Sequence, residues 1–139
     1  MRVTPGPAGV SCEFAVPSHC QSWAGVVHGG IVALMLDEAV GWAAWYAGSP
    51  GVTGRLEVRY RSPLRVGEEV RVHGSVDSVR RSLVKARATI ERADGTPLAE
   101  ATASLLAGPT DVAEGLSTIA PAPAGLDQPH AGRGSDGGG

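Results

Sequence analysis

The chain has 139 residues, a formal net charge of −2 and two cysteines. This length is enough for one domain with a hydrophobic core, and the charge provides no basic field that would attract nucleic acid. Cys12 and Cys20 follow no apolar signal segment, so we expect a cytoplasmic protein without a disulfide framework. The four histidines are scattered, and no metal site or redox cofactor is expected. Residues 31–47 are apolar apart from Asp37 and Glu38 but are short for a membrane span.

The first half of the chain predicts one strand and one long helix. Residues 1–10 are rich in Pro and Gly and predict an irregular segment, residues 11–16 a strand, and residues 17–27 a loop. The helix is expected to begin near Gly29 and to end near Gly48, where Gly, Ser and Pro form a stop signal. Its apolar residues lie on all sides, which predicts burial on most sides and a sheet wrapped around the helix.

The second half predicts an antiparallel sheet. Apolar and polar residues alternate in four segments, which are 53–62, 69–79, 84–91 and 98–107. Turn signals at residues 80–82 and 94–95 separate the later strands. The predicted fold is therefore α+β, in the order β-α-β-β-β-β, with one sheet face on the helix and a polar opposite face. Residues 11–107 form the predicted domain, and the Gly-, Pro- and Ala-rich residues 108–139 form a predicted disordered tail.

Two carboxylates in the middle of the apolar helix point to chemistry. An acidic side chain there is costly unless it is satisfied or used, and the helix start offers free N–H groups to an oxygen that gains negative charge. Together these parts favour acyl transfer or hydrolysis. The alternative is a structural Asp37, bonded to the backbone or to an arginine. Glu38 lies about 100° further round the helix, and we expect a structural role for it.

Two motifs flank this helix and its following strand. The run from Gln21 to Gly30 (QSWAGVVHGG) precedes Asp37, which lies nine residues after His28. Tyr60 and Pro63 then form a Tyr-x-x-Pro pattern. These motifs and the element order resemble the hotdog-fold acyl-CoA thioesterases, in particular their phenylacetate-type (4-hydroxybenzoyl-CoA thioesterase-like) branch. The resemblance covers about residues 11–108.

The resemblance implies hydrolysis of a thioester of coenzyme A, or of a carrier protein, to an acid and a thiol. By similarity, the Gly29 N–H polarises the thioester carbonyl, and Asp37 acts as general base on water or as nucleophile. Thr53 would hold the water, although a threonine there could simply begin a strand. Gln21 matches the family's loop amide, and His28 would shape the turn and contact the substrate or serve only as a hydrogen-bond anchor.

Substrate contacts are expected from Gly30 and from the turn formed by Arg80, Arg81 and Ser82. In relatives the coenzyme A phosphates or the pantetheine arm lie at this turn, and the guanidinium fork suits phosphate. An ordinary solvated hairpin is the alternative interpretation. The chain also departs from the family at Ser22, where relatives often have glycine, which leaves the path of the loop at Gln21 open.

Relatives join two sheets edge to edge with the site between subunits, so the resemblance implies a homodimer or a dimer of dimers. No nucleic acid or membrane partner is expected. Two other functions remain open. Hotdog hydratases and dehydratases pair an aspartate with a histidine a few residues later, whereas no histidine follows Asp37 until His73. A non-catalytic protein that binds acyl thioesters, or a scaffold, is the other possibility, because fold alone does not imply catalysis.

Overall fold

One long α-helix and eight strands make up residues 1–107, the part of the chain that the computed structural model describes. In chain order they are β1 (Thr4–Gly6), β2 (Gly9–Ala15), β3 (Gln21–Trp23), β4 (Val26–Val27), α1 (Gly29–Tyr46), β5 (Gly51–Tyr60), β6 (Glu69–Arg80), β7 (Leu83–Arg92) and β8 (Pro97–Ala107). Six strands form an antiparallel sheet in the order β1-β2-β6-β7-β8-β5, and β3 pairs with β4 in a separate hairpin. The predicted disordered tail, residues 108–139, lies outside the described residues.

The α+β class predicted from the sequence is confirmed, with one face of the sheet packed on the helix. The sheet approaches α1 most closely at Gly74 of β6, where a Cβ atom would lie 2.3 Å from the Ala39 carbonyl oxygen. Alanines on β7 and β8 leave further space beneath the helix; they are Ala86, Ala88, Ala99, Ala101 and Ala103. Small side chains at these positions therefore allow the helix to lie close to the sheet.

The prediction of an irregular segment over residues 1–10 is wrong. Thr4–Gly6 pairs with β2, and β2 already begins at Gly9. The prolines and glycines that suggested irregular backbone are tolerated because β1 is an edge strand, where a missing N–H breaks no ladder. Buried Val3 and Val10 anchor this hairpin against the helix end. The predicted loop, residues 17–27, also contains structure, namely a 3₁₀ turn at Ser18–Cys20 and the hairpin β3–β4.

The helix is buried on one side rather than on most sides. Its buried residues recur at spacings of three and four and form a single stripe, consisting of Val32, Met35, Leu36, Ala39, Val40, Ala43 and Ala44. Leu34 remains 53% exposed, and Trp42 and Trp45 are partly exposed. The expectation of burial on most sides is wrong because a single sheet covers only one side of a helix.

Strand β5 contains the irregularity that matters for the site. Thr53 pairs with Leu105 and Arg55 with Ser104, so Gly54 is an extra residue in the ladder with β8. This bulge changes the alternation, and Thr53 therefore shares the helix-facing side of the strand with Leu56 and Val58. Within residues 1–107, β5 pairs with β8 alone and forms one edge of the sheet.

Candidate active site

The Asp37 carboxylate and the Thr53 hydroxyl meet where the middle of α1 crosses the start of β5. Thr53 Oγ1 donates a hydrogen bond of 2.7 Å to Asp37 Oδ1. Both residues are partly exposed, and no ion pair to Asp37 occurs within residues 1–107. The arginine partner that would have made Asp37 structural is thus not found in this part of the chain. The bond to Thr53 fixes the carboxylate and leaves Oδ2 able to accept a proton from water.

The start of α1 exposes a free amide donor. His28 is the N-cap residue, and its Nδ1 accepts a 2.9 Å hydrogen bond from the Gly30 N–H. The His28 carbonyl accepts from the N–H groups of Ile31 and Val32. No acceptor in the described part of the chain bonds the Gly29 N–H, and Gly29 is exposed. The positive end of the helix dipole and this unbonded N–H can therefore stabilise an oxyanion.

Because Nδ1 of His28 accepts a hydrogen bond, the ring proton lies on Nε2 in the neutral side chain. We expect His28→Ala to lower the free energy of unfolding by about 1 kcal/mol, since it removes an N-cap acceptor. His28→Asn supplies another cap oxygen and is expected to retain most of that stability. Urea unfolding of the two variants measures the difference, and equal losses would show that the imidazole does not cap the helix.

Tyr60, at the end of β5, holds the first turn of the helix from the other side. Its hydroxyl donates a 2.7 Å hydrogen bond to the Gly29 carbonyl oxygen. A pocket of about 400 Å³ lies beside this contact and is lined by Ser22, Val27, Gly29, Val32, Tyr60 and Leu64, among others. The sequence analysis used Tyr60 only as part of a motif and gave it no contact. Its signal was an aromatic residue that ends an alternating strand on the apolar side.

The structure brings the predicted residues together in two groups rather than in one. Asp37 lies with Thr53, and Gly29 lies with His28 and Gly30. Gly29 and Asp37 are eight residues apart on one helix, which separates their backbone atoms by about 12 Å. A thioester carbonyl bound to the Gly29 N–H would therefore be too far from the Asp37 carboxylate of the same chain.

The loop and turn residues lie outside the pocket. Gln21 is exposed and makes no side-chain hydrogen bond within residues 1–107, whereas the neighbouring Ser22 lines the pocket. Arg80, Arg81 and Ser82 are exposed at the turn between β6 and β7, as predicted. The Ser82 carbonyl accepts from the Ala107 N–H at the far end of β8, so this turn lies near the start of β5.

Arg61 is the charged residue at the rim of the pocket. Its Nη2 atom lies 2.6 Å from Glu100 Oε1. This hydrogen bond and the attraction of opposite charges raise the pKa of the Arg61 guanidinium and lower the pKa of the Glu100 carboxyl. Both groups therefore remain charged at neutral pH. The exposed Glu38 forms no ion pair within residues 1–107.

Two further properties concern metals and membranes. The described residues contain no group of three or more His, Cys, Asp or Glu side chains that could hold a metal ion. No helix in residues 1–107 is long and apolar enough to cross a membrane.

Comparison with known proteins places these features in a family. A family model described as the thioesterase superfamily matches residues 24–99, which include the helix and most of the sheet. The mouse protein named acyl-coenzyme A thioesterase 13 is 31% identical over 70 residues, covering 49% of this chain and 50% of that protein. The chain thus spans about half the length of the curated relatives it matches.

Solved structures agree with this match. A crystal structure of a thioesterase superfamily protein has a TM-score of 0.72 and 27% identity, covering 75% of this chain and 54% of that one. A Streptococcus mutans protein bound to acetyl CoA has a TM-score of 0.72 and 19% identity, covering 76% of this chain and 86% of that one. The hotdog fold expected from the sequence is confirmed, and the chain belongs to the thioesterase superfamily.

Proposed function

We propose that this protein hydrolyses acyl-CoA thioesters. The observation that carries the proposal is the Asp37 carboxylate, which is held through one oxygen by Thr53 and retains a second oxygen for water. The unbonded Gly29 N–H supplies the second requirement, a donor for the carbonyl oxygen. The similarity to mouse acyl-coenzyme A thioesterase 13 supports coenzyme A as the thiol. A carrier-protein thioester is the other form of the same substrate class.

In the proposed reaction, Asp37 takes a proton from water as the water oxygen attacks the thioester carbonyl carbon. The carbonyl oxygen becomes an oxyanion and accepts the Gly29 N–H hydrogen bond. The tetrahedral intermediate then collapses, the carbon–sulfur bond breaks, and the sulfur leaves as the coenzyme A thiolate. The proton on Asp37 can neutralise that thiolate, so the products are a carboxylic acid and a thiol. In this scheme His28 and Gly30 shape the helix start, and Gln21 contributes from the loop.

The site is completed by a second copy of the chain. Gly29 is bonded to Tyr60 at the end of β5, and Asp37 is bonded to Thr53 at its start. If β5 pairs antiparallel with β5 of another subunit, the end of one strand lies beside the start of the other. The 12 Å gap within one chain then becomes a short distance between chains. A homodimer is the smallest assembly that satisfies this, and a dimer of dimers contains the same pair.

The same arrangement accounts for the turn between β6 and β7. Arg80, Arg81 and Ser82 lie near the start of β5, far from the pocket of their own chain. Antiparallel pairing brings them toward the partner's pocket, where the two guanidinium groups can bind coenzyme A phosphates. The cytoplasmic location expected from the sequence remains a prediction.

Thiol release tests the proposal. The protein is incubated with acetyl-, octanoyl-, palmitoyl- and phenylacetyl-CoA and a chromogenic thiol reagent, after reaction of its own Cys12 and Cys20 with the reagent has been measured. We expect multiple turnovers on at least one substrate. Folded protein that binds acyl-CoA without releasing thiol from any of these substrates, or from an acyl-carrier protein, would instead indicate a binding or scaffold role.

Thr53→Val tests the bond that orients the carboxylate. Valine keeps the branched shape but cannot donate, and a hydrogen bond to a charged group contributes about 1.5–3 kcal/mol. We expect kcat to fall about tenfold to hundredfold, with KM nearly unchanged. Thr53→Ser keeps the hydroxyl and is expected to retain most of the activity. Equal kinetics for the valine and serine variants would mean that the hydroxyl does not assist Asp37.

A further inference from the structure

The free edge of β5 carries an alternating row of charges. Arg55, Glu57 and Arg59 lie on the outer face of the strand, away from the helix. The Arg55 and Glu57 side chains are 77% and 65% exposed, and their own contact is a single 3.4 Å ion pair. A pair so exposed contributes little to stability within one chain. A ten-residue edge strand is usually protected against pairing, yet this one is blunted only by the bulge at Gly54.

Two-fold symmetry limits how two copies of β5 can pair. Directly opposite residues on antiparallel strands point to the same face, so the two-fold axis must pass beside one residue and its own copy. If that residue is Glu57, then Glu57 faces the partner's Glu57 and Arg55 faces the partner's Arg59. If it is Leu56, then Arg55 faces the partner's Glu57, and the symmetry gives this opposite-charge pair twice. Directly opposite like charges destabilise a sheet, whereas opposite charges stabilise it.

Centring the axis on Val58 is also unfavourable. It would pair Glu57 with the partner's Arg59, but it would place Arg55 opposite the partner's Arg61. Centring it on Arg55 would place that arginine directly against its own copy. Among the registers near the middle of the strand, only the one centred on Leu56 forms opposite-charge pairs without a direct like-charge pair.

The register centred on Leu56 also keeps the site together. With Gly54 excluded from the ladder as a bulge, Thr53 lies opposite the partner's Val58, and both face the helix layer. The partner's Tyr60, which holds Gly29, is then two residues further along, or about 7 Å. The half-buried Leu56 side chains meet across the axis and are removed from water.

We propose that two copies of this chain pair through β5 with Leu56 at the two-fold axis, in a register set by Arg55 of each subunit opposite Glu57 of the other. The partner is thus a second copy of the chain, and its strand position determines how the Asp37 of one subunit reaches the Gly29 of the other. The inference of a composite site rests on the proposed function, whereas the pairing itself is tested by association alone.

Charge reversal tests this register. Arg55→Glu places a glutamate opposite the partner's Glu57, and Glu57→Arg places an arginine opposite the partner's Arg55. Each variant replaces two attractive pairs by two repulsive ones, so we expect the dimer Kd to rise about tenfold or more. Mixing the two variants creates heterodimers in which all these pairs are attractive again. Sedimentation velocity on each variant and on the mixture measures both effects, with circular dichroism to verify folding.

Arg59→Glu is the matched control. In the proposed register Arg59 faces the partner's Val52, so its reversal should leave the Kd nearly unchanged. With Glu57 at the axis, Arg59→Glu and Arg55→Glu would each create opposite-charge pairs and tighten the dimer. Tightening, or failure of the mixture to recover wild-type association, overturns the register. A wild-type chain that stays monomeric overturns the pairing, and a dimer with the expected charge behaviour but no thiol release overturns the proposed function alone.

Discussion

Replacing Asp37 with asparagine is expected to lower kcat about 10²–10⁴-fold, the range typical for loss of a general acid–base group. Asparagine has nearly the same size, and its Oδ1 can still accept the Thr53 hydroxyl bond seen at 2.7 Å. It cannot take a proton from water at neutral pH, so the attacking oxygen remains a weak nucleophile. Because the lost interaction forms in the transition state, KM should change far less than kcat. Steady-state thiol release on the best acyl-CoA substrate measures both constants.

Glu38→Gln is the control for this substitution. Glu38 is the next residue on the same helix, is exposed, and forms no ion pair in residues 1–107. Its neutralisation changes the net charge equally and should leave kcat within about twofold, since exposed charges are weakly coupled to a distant site. Thermal unfolding of both variants checks the fold. A folded Asp37→Asn protein with near wild-type turnover would remove Asp37 from the reaction.

The helix and the sheet could be predicted because their signals are strong and local. The apolar run between Gly29 and Gly48 allowed one interpretation, and the observed helix occupies Gly29–Tyr46. Alternation in the later strands likewise specified which side faces the helix. What periodicity could not provide was the extent of helix burial. That depends on whether a second layer covers the outer side, and Leu34 shows that none does within residues 1–107.

Thr53 shows why the site was harder to predict than the fold. By strict alternation it belongs with Arg55 and Glu57 on the outer face, away from Asp37. The bulge at Gly54 reverses its direction and brings its hydroxyl to the carboxylate. A glycine inside an alternating strand is the sequence signal for such a bulge. The glycine signal indicates where alternation can shift, but only the pairing with β8 shows that it does.

The loop before the helix was predicted least well. The QSWAGVV segment has no period, and the structure forms it into a hairpin whose turn places Ala24 and Gly25 at φ values of 44° and 80°. That turn directs Ser22 rather than Gln21 into the pocket. A role for Gln21 therefore remains a prediction from the resemblance. The spacing of Gly29 and Asp37, in contrast, was readable from the start, because eight helical residues always span about 12 Å.

Gly29→Pro is expected to lower kcat about 10²–10³-fold, the usual cost of losing one oxyanion donor. Gly29 is the first residue of the helix, where proline fits well because the missing N–H has no helical partner. The preceding residue, His28, already has φ −57° and ψ 133°, which a following proline permits. Gly29→Ala keeps the N–H, and its Cβ would lie 3.5 Å from the Tyr60 hydroxyl, an ordinary contact. The alanine variant should therefore retain activity within about tenfold, and equal losses would indicate a steric effect.

Mixing the Gly29→Pro and Asp37→Asn subunits tests whether the two groups act across the interface. If Gly29 of one subunit serves Asp37 of the other, each heterodimer contains one site with both native groups and one site with neither. Random exchange makes half of the dimers heterodimers, so activity should recover to about a quarter of the wild-type value per subunit. If both groups acted within one chain, every site in the mixture would lack one of them and activity would stay at the level of the separate variants. The 12 Å between Gly29 and Asp37 on the helix favours recovery, because no single chain can bring that N–H and that carboxylate to the same thioester.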